Sequence, residues 1–475
     1  MIYVHWLILA VYFCLCAATM VAIVMDKKEP VKTMAWLLLL FFLPLVGCIL
    51  YFFFGRNYRR QSPQRKIVGY NTSKSAEERY NSLGDVSVPT KYSELIKMFS
   101  VQNHAFPFPD NEVEVFTQGK DFFERLLHDI DHAEHHIHLE FFIFEDDNIG
   151  SLIGEHLVRR AHDGVEVRVL YDDVGCWNVS NRFWERLREG GVDVHSFLPV
   201  RYPLFTSKIN YRNHRKIIVI DGKIGYLGGM NVADRYVIGT RRQGFRDTQV
   251  RITGCSVYGI QKVFLSDWFA MDRTLLSGER YYPHTLIHTC SSSALIQVVA
   301  SSAASQWPDI EQGYVKVLQL AKRYVYIETP YFLPTEPVLF AIQTAALGGV
   351  DVRIMVPSRC DNMLMNWASH SFFPDILKAG AKVWLYEPQT FNHSKVLVSD
   401  DELATVGSVN IDSRSFETSM EVQAFIYDKD IAVRFRRMFE EDMRHCEQLN
   451  AQQAHNRNFF IRLWESVVRM LSPLL

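Results

Sequence analysis

Charged side chains are missing from two long stretches near the N-terminus. Ile2 to Met25 contains no Asp, Glu, Lys or Arg, and Met34 to Gly55 contains none either. Each stretch matches the roughly 20 apolar residues that carry a helix across a bilayer core. A cleaved signal peptide would open on a basic segment, which this chain lacks, and a second equally long run follows. The expectation is a transmembrane hairpin over residues 1–55, turning at a short linker that holds Pro30. Pro44 and Gly47 fall inside the second run, where neighbouring helices can satisfy freed backbone groups. Five basic residues come after it (Arg56, Arg59, Arg60, Arg65, Lys66), against three in the linker (Lys27, Lys28, Lys32). The positive-inside rule then puts the rest of the chain in the cytoplasm, as part of a multi-pass membrane protein.

Other absences narrow the class further. No C-x-x-C pair occurs among the eight cysteines, which argues against a disulfide framework or a zinc knuckle and fits reduced thiols. Neither sign of charge is in excess: a net charge of −2 over 475 residues does not describe a generally basic nucleic-acid binder. H-E-x-x-H is also lacking. The histidines at 128, 132, 135, 136 and 138 therefore read as a solvated helix end leading into a strand at Glu140, and not as a zinc site. A chain of this length, 48% apolar and 22% charged, is globular and suits two or three domains.

What is present, after residue 110, is a repeat. His138-Leu-Glu140 answers Tyr326-Ile-Glu328, and Gly164-Val-Glu-Val-Arg-Val169 answers Gly349-Val-Asp-Val-Arg-Ile354. Asn213-His-Arg-Lys216 answers Asn392-His-Ser-Lys395, and Gly228-Gly-Met-Asn231 answers Gly407-Ser-Val-Asn410. The order is the same in both copies, with a spacing that drifts as loop insertions would make it. Repeats this long are duplicated domains rather than solenoid units. Amphipathic stretches alternate with β-branched runs, which implies an α/β fold with a helix-covered sheet built twice. A pseudo-two-fold relation with the active site between the halves is the natural expectation. The segments are then a 1–55 hairpin, a 56–110 juxtamembrane linker, repeats at 111–285 and 286–458, and a 459–475 amphipathic helix.

The chemistry lies in two His-x-Lys pairs. His214-x-Lys216-x4-Asp221 and His393-x-Lys395-x4-Asp400 hold the same place in the repeat, each followed 17 residues after the histidine by Asn231 or Asn410. One such match is weak; two in register are specific. Residues two apart on a strand share a face, so each His and Lys point the same way. Asp221 and Asp400 have the opposite parity and begin a hairpin turn, which makes them turn and packing residues. A neutral imidazole attacks phosphorus, Lys and Asn stabilise the oxygens as charge builds, and a second, protonated imidazole serves the leaving alkoxide. That set cuts a phosphodiester in two steps through a phosphohistidine and needs no metal or other cofactor. The imidazoles need carboxylates on their other nitrogen. Asp247 stands 33 residues after His214 and Glu421 stands 28 after His393.

At these residues the chain resembles the phospholipase D superfamily. Met34-Ala-Trp-Leu-Leu, Phe53-Phe-Gly-Arg-Asn57 and Asn410-Ile-Asp-Ser-Arg-Ser-Phe-Glu417 are similar to its bacterial cardiolipin synthases. The resemblance implies two tandem phospholipase D-like α/β/α domains after a membrane hairpin. It makes His214, Lys216 and Asn231 one half-site and His393, Lys395 and Asn410 the other, with Asp221 and Asp400 as the motif acids and Asp247 and Glu421 as His-orienting carboxylates. It implies joining of two phosphatidylglycerol molecules into cardiolipin with release of glycerol, at a bacterial cell membrane, with no nucleic-acid partner. By family habit His214 attacks. Oligomeric state and acyl preference are left open, and phosphodiester hydrolysis is the alternative reaction. Weaker signals accompany these. Glu140 and Glu328 recur at matching places, and either line the site or are buried as strand-edge charges. Arg414 contacts lipid phosphate or pairs with Glu417. Phe460, Leu463, Trp464, Val467 and Leu471 form one stripe of the C-terminal helix, which either lies on the membrane interface or packs.

Overall fold

The computed structural model describes residues 2–26, 30–55, 74–200, 211–241, 243–284, 294–450, 452, 458–470 and 472. The chain divides into two compact units, one holding the N-terminal apolar segments and the other the α/β body.

In the first unit, Ile2–Met25 is one continuous helix, and its Tyr3–Met25 stretch is long and apolar enough to cross a membrane. The second run does not form an unbroken partner. It divides into helices Pro30–Phe42 and Pro44–Leu50 and a π-helical turn Tyr51–Gly55. The cause is Pro44, which has no N–H to give the ladder and drives the preceding residue out of the α region: Leu43 sits at φ −135°, ψ 69°. Among the described residues one helix is therefore long and apolar enough to cross a membrane and the second run is a broken segment, so the two-span hairpin expected from composition is not shown. Ile23, Leu40 and Tyr51 pack together, and the Tyr51 hydroxyl donates to Asp26 at 2.6 Å. The basic residues Lys27, Lys28 and Arg56 to Lys66, on which the sidedness expectation rests, lie outside the described residues.

The body is organised by one fifteen-stranded sheet. The first half contributes β1 (Phe108–Phe116), β2 (His136–Phe141), β3 (Glu166–Asp172), β4 (Asp193–Phe197), β5 (Lys216–Ile220) and β6 (Ile224–Gly228). A short β7 (Gly244–Arg246) and then β8 (Gln249–Gly254) complete it. The second half contributes β9 (Ala294–Ser301), β10 (Tyr324–Glu328), β11 (Phe332–Leu333), β12 (Asp351–Pro357), β13 (Lys382–Tyr386), β14 (Thr390–Asn392) and β15 (Val396–Ser399). After these come β16 (Leu403–Gly407), β17 (Ile411–Asp412), β18 (Glu421–Tyr427) and β19 (Cys446–Gln448).

From the edge the order is β19-β13-β12-β10-β15-β16-β18-β9-β1-β8-β6-β5-β2-β3-β4. Apart from the extra β19, the order reads alike outward from the β9–β1 pair, which is the pattern a pseudo-two-fold between duplicated halves produces. Strands such as β5, Lys-Ile-Ile-Val-Ile, are buried throughout. Runs of this kind are stable only when helices cover both faces. Phe122, Leu126, Ile153 and Leu157 cover Ile137, Leu139, Ile218 and Ile220 from one side. Ile260, Phe264 and Trp268 cover Ile217, Val219 and Val250 from the other.

The histidine cluster divides along this architecture. His128 and His132 stack at the end of helix Gly119–Asp131, with ring centroids 4.3 Å apart. His136 and His138, however, are fully buried on β2 and do not belong to a solvated helix end. His136 Nε2 donates to Gln261 Oε1 at 3.1 Å, and Gln261 Nε2 donates to His138 Nδ1 at 2.9 Å. Burial takes His136 down to about 4 and His138 well below the usual range, so both are neutral. Alternation on β2 explains the difference: 136, 138 and 140 share the face turned to helix Val257–Asp272. Among the described residues no His, Cys, Asp and Glu group is arranged to hold a metal.

Candidate active site

Each His-x-Lys segment crosses to the other half. β14, just before His393, pairs in parallel with β7 of the first half, Asn392 opposite Arg246. Asn213, just before His214, forms a parallel bridge to Met420 of the second half. The exchange is closed by backbone bonds: His214 N–H donates to Met420 O at 2.9 Å and His393 N–H to Arg246 O at 2.7 Å.

Because the segments cross, so do the orienting carboxylates. His214 Nδ1 lies 3.1 Å from both oxygens of Glu421, and His393 Nδ1 lies 2.6 Å from Asp247 Oδ2. Each acid thus faces the histidine of the half in which it does not lie, where reading downstream along the chain had paired it with the histidine of its own half. With Nδ1 engaged, Nε2 of each ring is the nitrogen left for chemistry. His214 and His393 both line one cavity of about 240 Å³, together with Asn231 and Asn410. That is smaller than the roughly 300–1,000 Å³ of pockets that bury a whole small ligand.

Electrostatics at the cavity follow from the burial of its ionisable groups. Burial, with Lys216 adding to it and Glu421 opposing it, takes His214 down to about 4. Burial and Lys395, against Asp247, do the same for His393. Burial lowers Lys216 to about 7 and Lys395 to about 8. It pushes against ionisation of Asp247 and Glu421 too, but Lys395 and His393 outweigh it for Asp247, and His214 and Lys216 do so for Glu421. Both acids stay below the ordinary carboxylate range. In the free site the imidazoles are neutral and the orienting carboxylates charged. Lys216 Nζ donates to its own His214 carbonyl at 2.6 Å, and Lys395 Nζ likewise to His393 O.

Beneath the cavity the two halves repeat a buried arrangement. Asn213 Nδ2 donates to Glu140 Oε1 at 2.5 Å and Asn392 Nδ2 to Glu328 Oε2 at 3.4 Å. The oxygen of each Asn accepts from the N–H two residues on, at 3.1 Å. Glu140 and Glu328 therefore underpin the motif and do not line the pocket. Glu140 is held well above its usual range by burial and by Asp267, against Arg215. Glu328 is pushed up to about 7 by burial, with Arg246 opposing and Asp442 adding.

Asp221 and Asp400 stand at the far ends of their strands. Both open type I′-like turns, with φ of 55° at Asp221, 64° at Gly222, 56° at Asp400 and 58° at Asp401. Asp221 accepts from the N–H groups of Glu134, His135 and His136. Asp400 accepts from those of Lys322, Arg323 and Tyr324. Each closes the open end of a neighbouring strand; neither lines the cavity.

Arg414 lies at the cavity rim, and so does Arg235, which inspection of motifs alone passes over. The repeat register could have found it: Arg235 is four residues after Asn231, as Arg414 is four after Asn410. Arg235 pairs with Glu145 at 3.2 Å. Tyr331 also lines the cavity, whereas the adjacent Phe332 is core.

Doubled halves whose His-x-Lys motifs are each preceded by a segment that pairs with the other half, around one shared pocket, define a phospholipase D-type body. The family described as "Cardiolipin synthase, PLD-like domain" matches residues 126–257 and 314–443, and "Phospholipase_D-nuclease N-terminal" matches 8–56. The major cardiolipin synthase ClsA of Bacillus subtilis (strain 168) is 39% identical over 468 residues, covering 96% of each chain. The cardiolipin synthase of Geobacillus kaustophilus (strain HTA426) is 38% identical over 468 residues, covering 97% of this chain and 92% of its own. In fold, phosphatidylserine synthase from Haemophilus influenzae Rd KW20 aligns at a TM-score of 0.63 and 15% identity, over 81% of this chain and all of its own. The chain belongs to the cardiolipin synthases, phosphatidyltransferases of the phospholipase D superfamily.

Proposed function

We propose that this chain joins two phosphatidylglycerol molecules into cardiolipin, and that it does so through a phosphohistidine. The observation that carries the reading is the pair of histidines, each with Nδ1 on a buried carboxylate of the other half, facing one cavity. His214, taken as nucleophile on the family pattern, attacks the donor phosphorus through Nε2. The bond from phosphorus to the terminal glycerol oxygen breaks, and His393 gives that oxygen its proton. His393, now neutral, takes the proton from the terminal hydroxyl of a second phosphatidylglycerol. The new oxygen–phosphorus bond replaces the bond to His214, and cardiolipin leaves. The charge of the bound phosphodiester favours protonation of one imidazole in a site where burial otherwise keeps both neutral. Lys216, Lys395 and the Asn amides stabilise the phosphoryl oxygens.

Transfer prevails over hydrolysis when the acceptor hydroxyl is concentrated at the site and water is shielded from it. In this reading the N-terminal helix and the broken second segment enter the bilayer together, with the catalytic body on the cytoplasmic side. Helix Phe459–Arg469 supports contact with lipid: it buries only Glu465 and Val468, and leaves Phe460, Leu463, Trp464 and Val467 of the expected stripe exposed. Leu471 of that stripe lies outside the described residues. The deciding experiment gives phosphatidylglycerol to the purified protein and reads products by mass. Cardiolipin and glycerol are expected, without nucleotide, and with reversal in excess glycerol. Phosphatidic acid as the dominant product would replace this reading with a phospholipase, and a strict need for a CDP-linked donor would exclude the reaction between two phosphatidylglycerols.

A further inference from the structure

The two halves are matched at the reacting residues but not at the rim of the cavity. Arg235 and Arg414 occupy equivalent places, each opening a short helical turn, Arg235–Ile238 and Ser413–Glu417. Arg235 is committed to Glu145 at 3.2 Å. Arg414 is exposed at the rim and its guanidinium has no hydrogen-bond or ion-pair partner among the described residues. Of the acids beside it, Asp412 accepts from Ser415 N–H at 2.6 Å and feels the charge of Arg414 without an ion pair to it, and Asp361 accepts from the Tyr331 hydroxyl at 2.7 Å.

The same asymmetry appears one layer deeper. Asn231 has a protein partner for each side-chain atom, its oxygen accepting from Ile143 N–H at 3.1 Å and its nitrogen donating one hydrogen to the Tyr236 hydroxyl at 2.9 Å. Asn410 is 7% exposed and lines the cavity, yet its side-chain oxygen is buried with no partner. The second-half flank therefore holds a guanidinium outside any ion pair and a buried amide oxygen without a donor. On the first-half flank both amide atoms have partners and the guanidinium is ion-paired, although Arg235 Nε is buried without a hydrogen-bond partner.

Two anionic lipids must meet here. The two His-x-Lys pairs serve the phosphate that reacts. The acceptor brings a second phosphate, one glycerol unit away from its attacking hydroxyl, and that group remains a diester throughout. We infer that Arg414 binds this spectator phosphate, so that the second-half flank of the cavity is the acceptor subsite and selects a lipid acceptor over water or a free alcohol. The inference rests on the transfer reaction proposed above. A guanidinium–phosphate contact is a charge-assisted, bidentate bond that a neutral alcohol cannot make.

The test compares two acceptors that share one donor step. Purified full-length protein in phosphatidylglycerol micelles is given deuterated glycerol, and cardiolipin formation and head-group exchange are read together by mass. A charge-assisted contact contributes about 1.5–3 kcal/mol, so Arg414→Ala should lower the ratio of cardiolipin formation to exchange at least about tenfold. Exchange itself should stay within about twofold of wild type, because glycerol has no phosphate to lose. Arg414→Lys should recover part of the ratio, and Arg235→Ala should leave it unchanged. Equal loss of both reactions in Arg414→Ala, an unmoved ratio, or a ratio that moves in Arg235→Ala instead, overturns the assignment. A wild-type protein that makes no cardiolipin would bring down the functional reading itself, which is a different result.

Discussion

The two half-sites place the same His, Lys and Asn by different means. In the first, the residue between His and Lys is Arg215, whose guanidinium bonds Asp267 of the same half and, at 3.1 Å each, the carbonyls of Glu421 and Ser301. In the second that position is Ser394, and the guanidinium comes from Arg246 of the first half. It reaches Ser394 Oγ at 2.6 Å and Asp442 at 2.5 Å. The orienting acids trade in the same way. Glu421 accepts from the Ser408 hydroxyl. Asp247 presses against Gly229, where a Cβ would collide with its carboxylate. What is held constant is the geometry of the reacting atoms; which chain segment supplies the supporting charge is free to change. The cost of that freedom is dependence: Arg246 sits next to Asp247 in sequence, so the second half-site draws both its cation and its orienting acid from the first half.

The largest effect expected from breaking the comparison is at the histidines. His214→Ala and His393→Ala should each abolish turnover, since one imidazole supplies the nucleophile and the other the proton, a loss of at least about 10²–10⁴-fold. With an activated donor, removal of the acid should trap a phosphatidyl group on the other histidine, which intact-mass measurement detects. Substantial turnover in either variant would defeat the two-step scheme and show that the halves are not interdependent.

Next come the two guanidinium supports. Arg246→Ala strands the buried carboxylate of Asp442, and Arg215→Ala strands that of Asp267; each should cost about 3–5 kcal/mol in denaturant unfolding. Because Arg246 joins the halves, its removal should also loosen Asp247 and lower kcat, beyond its effect on stability. If Arg246→Ala unfolds like wild type, the Arg246 guanidinium does not hold the two halves together.

pH separates the halves more gently. Lys216 and Lys395 lie low, at about 7 and about 8, because burial disfavours their charged forms. They lose their protons as pH rises through those values, and kcat/KM of the free site should fall on that alkaline side. The histidines, near 4, are neutral over the range above it. Substrate phosphate favours charged lysine, so the kcat limb should lie higher than the kcat/KM limb. Lys216→Arg, whose guanidinium does not titrate here, should move the kcat/KM limb toward the Lys395 value. A limb that stays in place assigns it to another group.

The smallest effect expected is that of a chelator. In the proposed mechanism the lysines supply the positive charge the transition state needs and the amides donate hydrogen bonds to it, so EDTA should leave the initial rate within about twofold. Full loss, restored by one metal ion, would replace this electrostatic account.

Much of this molecule is written locally. The uncharged Ile2–Met25 run specifies a bilayer-length helix because its composition alone excludes water. The repeat register is legible because both copies keep the same order of apolar runs and turns, and Asp221-Gly222 announces its hairpin through the φ > 0 that such turns require. The half-site residues are legible for the same reason: the motif is short and occurs twice. Other features have no local signature. Pro44 marked a break whose outcome depended on how Leu43 and its neighbours packed. His136 and His138 looked like surface residues until β2 was flanked by a helix bringing Gln261 and Phe264. The pairing of His214 with Glu421 and of His393 with Asp247 joins residues 207 and 146 positions apart. No periodicity reports contacts at that range. Pattern along the chain determined which residues could do the chemistry. The sheet that runs unbroken through β9 and β1 decided which half each would serve, because only the continuous sheet sets β7 beside β14 and Met420 beside Asn213.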